Sequence, residues 1–384
     1  MPRLYVWLTG VRWSVRENEG GNMRKKWVVA GFALAMLGAE IASAAAGSSQ
    51  SAEPLYPVTP LITEKGVDTV YPSVAGDFMV YSTMTLKHAG VVRVSKQSPQ
   101  SAVREVASMT LNEAIRFGVA VNDGSVGYVS NRLGPVSAWM WRGHGESHVA
   151  IVSGNIYRGG VIPYHLNASA DGQVWCYDTP FEKLRQNEML NSYAQSPEFE
   201  LTGQLWRTYD YDSFRIKAGY KATETGNGNK FDPPSLYIFN RKSGDLTMIP
   251  NAFNGAISPD GSRIVFTREV NGNYDLWMQQ IDGGELVQLT DSPFGDFEPQ
   301  WSPDGSKLVF VSNRDAAGSV MRTSIYMLDL ASGKVTRLTN AERATDGGPA
   351  WMDEHSIVFH SNRDPQKPQT STSSKWNIWQ LKLN

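Results

Sequence analysis

Short apolar runs recur along the chain, each closed off by glycine, aspartate or serine. Ile264-Val265-Phe266, Leu276-Trp277-Met278, Leu308-Val309-Phe310-Val311 and Ile325-Tyr326-Met327-Leu328 are uninterrupted by any polar residue. Runs this short suit strands buried on both faces, since a helix of the same burial shows a longer 3.6-residue pattern. Ser-Pro-Asp-Gly stands ahead of two of them, at 258–261 and 302–305. Proline presets φ and glycine tolerates positive φ, so this tetrapeptide predicts a tight turn leading into a strand.

The pattern is periodic. Ile257 to Phe266 aligns with Trp301 to Phe310 at an offset of 44, and weaker copies sit at Val121-Asn122-Asp123-Gly124, Ser169-Ala170-Asp171-Gly172, Trp351-Met352-Asp353 and Val74-Ala75-Gly76-Asp77. The turn aspartates fall at 77, 123, 171, 260, 304 and 353, with spacings of 46, 48, 89, 44 and 49. A period in the forties predicts one four-stranded sheet per repeat, the blade of a β-propeller. Six anchors predict an all-β, six-bladed propeller over 55–384, with an insertion at 181–234 inside the third blade that holds a helix-like stretch, Phe181 to Tyr193. Because 89 is close to twice 44, seven blades is the alternative. The last repeat stops after a third strand, Asn377 to Leu383, while Val58 to Thr63 reads as an outer strand with no blade of its own. The expectation is that 58–63 completes the last blade and closes the ring, which shields edges that would otherwise pair with other chains.

Ser-Pro-Asp-Gly, a short apolar run, Ser-Asn-Arg-Asp at 312–315 and 361–364, then Ile-Tyr or Leu-Trp, then Leu-Thr together resemble the TolB-type β-propeller repeat. Ser130-Asn131-Arg132 is a partial copy. The resemblance is specific over 257–384 and weak but periodic over 55–256. It implies a stand-alone propeller without the α/β domain of TolB, acting as a non-catalytic binding scaffold for an envelope protein, a peptide or a glycan, with no catalytic residue, metal or cofactor. The alternative it also implies is a propeller lyase or hydrolase acting in the central channel, as in oligogalacturonate lyases, whose channel is rich in histidine and binds metal. The serine-hydrolase elbow Gly-x-Ser-x-Gly does not occur in the sequence.

Met23-Arg24-Lys25-Lys26, the uncharged stretch Trp27 to Ala39 and the small residues around Ala44 and Ala46 have the three parts of a secretory signal, expected at 23–46. Residues 1–22 are then an upstream extension from a mis-assigned start, and 47–54 a polar tether. The apolar stretch is short for a membrane span. A periplasmic or secreted monomer with no span in the mature chain is expected.

Composition narrows the partners. Thirty-six basic against 38 acidic residues give a net charge of −2, without the basic excess of a nucleic-acid binder. Cys176 is the single cysteine, so an intramolecular disulfide is excluded. In a blade, the second-to-third loops and the links to the next blade share one face, and here these are the long connections, where function tends to reside. Acids recur there shortly before prolines, at Asp68, Asp296 and Asp346, with Arg132, Arg314 and Arg363 expected near the same rim. They read either as a charged funnel for a ligand or as ion pairs repeated by blade. The insertion carries Trp206, Arg207, Tyr209, Tyr211 and Arg215, residue types that dominate binding hot spots. Of the histidines, His360 is placed to approach the channel, whereas His144 and His148 flank an outer turn; Cys176 reads as a buried inert thiol.

Overall fold

The computed structural model describes residues 56–85, 89–107, 115–130, 137–145, 148–152, 165–179, 235–316, 322–340 and 343–383, and two short strands near the start. The chain divides into two compact units, Met1–Ala52 and Glu53–Asn384. In the first, Trp7–Leu8 pairs antiparallel with Val11–Arg12.

In the second unit, the described residues form six four-stranded antiparallel sheets, each strand next to its neighbour in sequence except in the last sheet. Each blade packs on the next and the sixth on the first. This is a six-bladed propeller. The long spacing between Asp171 and Asp260 is taken up inside blade 3, where Val174–Thr179 pairs directly with Ser235–Asn240 and the insertion lies between them. No seventh sheet is needed. The insertion, with Phe181 to Tyr193, lies outside the described residues. Among the described residues the only helical segment is the 3-10 turn Arg314–Ala316, and no helix is long and apolar enough to cross a membrane.

The innermost strands, one per blade, are Asp68–Ala75, Ile115–Ala120, Leu166–Ala168, Phe253–Ile257, Asp296–Trp301 and Asp346–Asp353. Blade 6 borrows its outermost strand from the start of the unit: Val58–Ile62 pairs with Thr372–Lys382, with Ile62 opposite Ile378, Pro60 opposite Trp379 and Val58 opposite Leu381. Pro60 is exposed, as a residue without an amide hydrogen must be in a ladder. Val58 and Ile62 are buried in two different hydrophobic clusters, so the strand is packed as well as paired.

The Ser-Pro-Asp-Gly turns are self-contained. Ser258 Oγ donates to Asp260 Oδ1 at 2.5 Å and accepts the Arg263 amide at 2.9 Å, while the Gly261 amide bonds the Ser258 carbonyl at 2.9 Å. Ser302, Asp304 and Lys307 repeat this. Hydrogen bonds from Ser258 and Ser262 hold the Asp260 carboxyl down to about 2, and those from Ser302 and Ser306 do the same for Asp304. Between blades the core is close-packed. Trp301 reaches across to the Ala256 carbonyl through Nε1 at 2.9 Å. A Cβ on Gly127 would stand 2.2 Å from the Trp175 ring, so only glycine lets those two strands approach.

Candidate functional site

Second strands run antiparallel to first strands, so their ends, the roots of the second-to-third loops, lie at the same end of the channel as the starts of the inner strands. That end carries the acids and arginines that stand out in the sequence. Asp68, Asp296 and Asp346 are the opening residues of inner strands rather than members of the links, and all three are buried. Arg314 clamps Asp296 through Nη2 at 2.8 and 2.9 Å. Arg363 clamps Asp346 through Nε at 2.9 Å and Nη2 at 2.5 Å, and also donates to the carbonyls of Asn340 and Pro368. Asp68 accepts the Trp376 amide at 2.9 Å and lies 3.6 Å from Lys375 Nζ.

The chemistry of the Ser-Asn-Arg motif follows. Asn313 and Asn362 accept the amides of Gly295 and Thr345, one residue ahead of each strand-opening aspartate, and the next arginine holds the aspartate itself. The motif staples the end of a second strand to the start of the first. Burial pushes the Asp296 carboxyl up, and the Arg314 guanidinium pulls it back. Arg132, Trp206, Arg207, Tyr209, Tyr211 and Arg215 lie outside the described residues.

Further along the inner strands stands a ring that the sequence reading misses. Tyr71, Phe117, His165, Asn254 and Glu298 lie six residues ahead of their turn aspartates, and Gly348 lies five ahead of Asp353. All six line one cavity of about 830 Å³ that extends to the turn residues Pro259, Pro303 and His355. Five of these positions coincide with a β-bulge in the inner strand, and the backbone there is left-handed: φ is 53° at Tyr71, 52° at Phe117, 51° at Asn254, 50° at Glu298 and 53° at Gly348. For residues other than glycine this conformation costs about 1 kcal/mol each, less for asparagine.

The ring side chains are held to one another. Asp178, fully buried at the end of the second strand of blade 3, accepts the amides of His165 at 3.1 Å and Asn254 at 2.8 Å, and its Oδ2 lies 3.0 Å from His165 Nδ1. Glu298 Oε2 accepts the Gly348 amide at 2.6 Å. Tyr71 meets Phe117 edge-on at 5.1 Å, and Phe117 lies 4.8 Å from His165. In blade 6 the missing side chain is replaced from behind: His360 fills the space a Cβ on Gly348 would enter, stacks edge-on with Tyr71 and Trp376, and accepts the Tyr71 amide at Nδ1. Burial lowers the His360 imidazole to about 3, so it stays neutral at ordinary pH.

The remaining histidines are apart from the ring. His144 is exposed in an outer turn, and His148 opens the outer strand of blade 2 rather than sitting in the turn, with Nδ1 2.5 Å from the Tyr128 hydroxyl. His355 is exposed on the opposite turn face, and His88 lies outside the described residues. Cys176 is fully buried, with its thiol pushed up by desolvation.

Residues 230–324 match the TolB beta propeller domain. An uncharacterized protein of Agrobacterium fabrum is 32% identical over 102 residues, 25% of this chain and 35% of that protein. The Tol-Pal system protein TolB of Anaeromyxobacter dehalogenans is 47% identical over 51 residues, 13% of this chain and 12% of that protein. The chain thus spans about a third or less of the length of these relatives. Among solved structures, an oligogalacturonate lyase in complex with manganese is similar at 13% identity and a TM-score of 0.49, over 87% of this chain and 95% of that one. From the matched segment and the order of strands in its six blades, this chain is a TolB-like β-propeller protein.

Proposed function

We propose that the chain is an exported binding scaffold that holds an envelope protein, a peptide or a glycan at the loop-side end of its central channel, without catalysis of its own. The observation that carries this is the ring. A bulge in the inner strand asks only for a residue that tolerates positive φ, and Gly348 supplies one at no cost. Tyr71, Phe117, Asn254 and Glu298 hold the same conformation at a cost, and the side chains kept there line a cavity. Strain retained at cavity-lining positions is a mark of function. The insertion residues Trp206, Arg207, Tyr209, Tyr211 and Arg215 lie between strands that end at this same side, and in this reading they extend the contact surface outward.

The lyase or hydrolase reading has one observation in its favour. An imidazole 3.0 Å from a buried carboxylate, as in His165 and Asp178, is the arrangement of a positioned base. A binding protein uses the same pair as an oriented hydrogen-bonding group. The two readings part on whether the captured ligand is returned intact.

The test is site-specific photo-crosslinking. With p-benzoylphenylalanine at Gln300 in the cavity wall, at Tyr211 in the insertion, or at the exposed Lys334 of the opposite turn face, adducts with envelope components are expected from the first two positions alone. Adducts from Lys334 alone, or equally from all three, would refute the proposal.

A further inference from the structure

Two residues beyond the ring, the inner strands carry a second layer that lines the same cavity. Ser73, Val119, Asn167 and Gln300 stand four residues ahead of their turn aspartates, and Ala350 follows Gly348 by two. In blades 1 and 3 the residue of this layer ties its blade to the next. Ser73 Oγ accepts the Ala120 amide at 3.0 Å, and Asn167 Oδ1 accepts the Ile257 amide at 3.1 Å. Gln300 does not repeat this. It reaches back past blade 4 to blade 3, where its Oε1 accepts from Asn167 Nδ2 at 3.3 Å.

The polarity of this chain of carboxamides is forced. A backbone N–H only donates, so the Asn167 atom that faces Ile257 is its oxygen and the atom that faces Gln300 is its nitrogen. Gln300 meets that donor with its own oxygen, which leaves its Nε2 hydrogens for the channel. The bond from Asn167 is the one hydrogen bond of the Gln300 side chain among the described residues. Because Gln300 is half-buried in the cavity wall, its amide nitrogen is an oriented donor within reach of a ligand. Ser73 is half-buried too; its oxygen is engaged by a backbone amide and its hydroxyl hydrogen is left to give. Blades 1 and 5 flank blade 6, whose residue at this level is Ala350, and Val119 continues the wall in blade 2. The layer therefore sets two neutral donors beside small apolar side chains.

We infer that this layer takes the acetamido group of an N-acetylated amino sugar, its carbonyl oxygen accepting from Gln300 Nε2 and the Ser73 hydroxyl, its methyl against Val119 and Ala350. The inference rests on the channel-binding reading and chooses a glycan among its ligands. A carboxylate would need a cation to offset its desolvation. Among the described residues that line the cavity the single lysine or arginine is Lys96, which follows the third strand of blade 1 at the turn end. A sugar hydroxyl brings an oxygen but no methyl. A peptide carbonyl brings chain on both sides and an N–H to satisfy at every residue, whereas the acceptor oxygens of Ser73, Asn167 and Gln300 are each already engaged. An acetamido group ends at its methyl, so it fills the wall without having to continue through it.

The experiment is a tryptophan-fluorescence titration of the purified chain, in which Trp351 lines the cavity next to Ala350. The probes are N,N′-diacetylchitobiose, cellobiose, which carries hydroxyls in place of the acetamido groups, and an end-blocked trialanine. Diacetylchitobiose is expected to bind about tenfold or more tightly than cellobiose, and Gln300→Leu to reduce that ratio about fivefold with little effect on cellobiose. Equal affinity for the two sugars overturns the inference. So does tighter binding of the trialanine, which assigns the layer to a peptide, and so does the absence of binding by every probe. A ratio unchanged in Gln300→Leu overturns it as well. If Gln300→Leu does not fold, Gln300→Glu replaces the donor by an acceptor and is expected to reduce the ratio at least as far, while the ratio in the unaltered chain still carries the first arm. Capture by a photo-crosslinker at position 300 needs proximity rather than the donor. An envelope adduct there, with both sugars failing to bind, leaves the channel reading standing and removes the acetamido ligand alone.

Discussion

Deletion of residues 56–63 is expected to lower the stability of the propeller by several kcal/mol and to make it aggregate on heating. Val58 and Ile62 are 7% and 2% exposed, and burial of two such side chains contributes about 1.5–3 kcal/mol each. The deletion also strips the partner from the strand Thr372–Lys382, whose Trp379 and Leu381 sit in the same cluster as Val58. An unpaired strand edge with apolar neighbours recruits other chains. Its loss shortens the blade 6 sheet to three strands and also takes Ile62 out of the cluster that blade 6 shares with Met79 and Tyr81 of blade 1. Differential scanning calorimetry should show a melting point lower by about 10 °C, and a synthetic peptide of residues 56–65 added in trans should recover part of it. Unchanged melting would mean that the edge pairing contributes nothing to closure.

Arg363→Ala is expected to cost about 3–5 kcal/mol, because it leaves Asp346 charged, buried and without its counter-ion. Asp346 is 0% exposed and Arg363 1%. The guanidinium also serves two carbonyls, of Asn340 and Pro368, so lysine is a poor replacement: a point charge cannot reproduce the fork. Arg314→Ala should cost less. Its side chain is 23% exposed, and water can reach the space it leaves beside Asp296. The double variant Asp346→Asn, Arg363→Ala should be more stable than the sum of its parts predicts, since neutralising the aspartate removes the orphaned charge. Chemical denaturation of the parent, the single variants Asp346→Asn, Arg363→Ala and Arg314→Ala, and the double variant measures each of these differences. Equal losses at 314 and 363 would show that burial of the pair is not what sets its strength.

These pairs mark how far the sequence can be read. The repeat is legible because turn chemistry is local: Ser258, Asp260 and Gly261 satisfy one another, so their spacing survives in the sequence. Closure is legible because the last repeat is one strand short while Val58 to Thr63 has none to join. The aspartates and arginines of the rim are visible as residue types, but Asp346 and Arg363 lie 17 positions apart, on two strands, and only pairing in space turns a charged rim into a staple. The ring is harder to see. Its members are tyrosine, phenylalanine, histidine, asparagine, glutamate and glycine, with no shared side-chain chemistry. All but His165 share a left-handed backbone, and all but Gly348 stand six residues ahead of the turn aspartate. Counting back six from each turn aspartate would find five of the positions, and five from Asp353 the sixth; nothing in the residue types says that they face a cavity. Asp178 is equally hidden, since it stands in an apolar strand and gains its role from His165 and Asn254 across a blade boundary.

That the ring keeps its side chains for a ligand rather than for the fold can be tested by one melting curve, that of the double variant Asn254→Gly, Glu298→Gly. Glycine relieves left-handed strain at both positions, about 1 kcal/mol for the glutamate and less for the asparagine. Against this stand the lost bond from the Gly348 amide to Glu298, a contribution of about the same size, and the lost contact of Asn254 Nδ2 with His165 Nδ1 at 3.2 Å. If the side chains serve a ligand, the melting temperature stays within about 2 °C of the parent or rises. A fall of more than about 5 °C would mean that Asn254 and Glu298 hold the inner strands in place, and that the ring is part of the scaffold rather than the surface it presents.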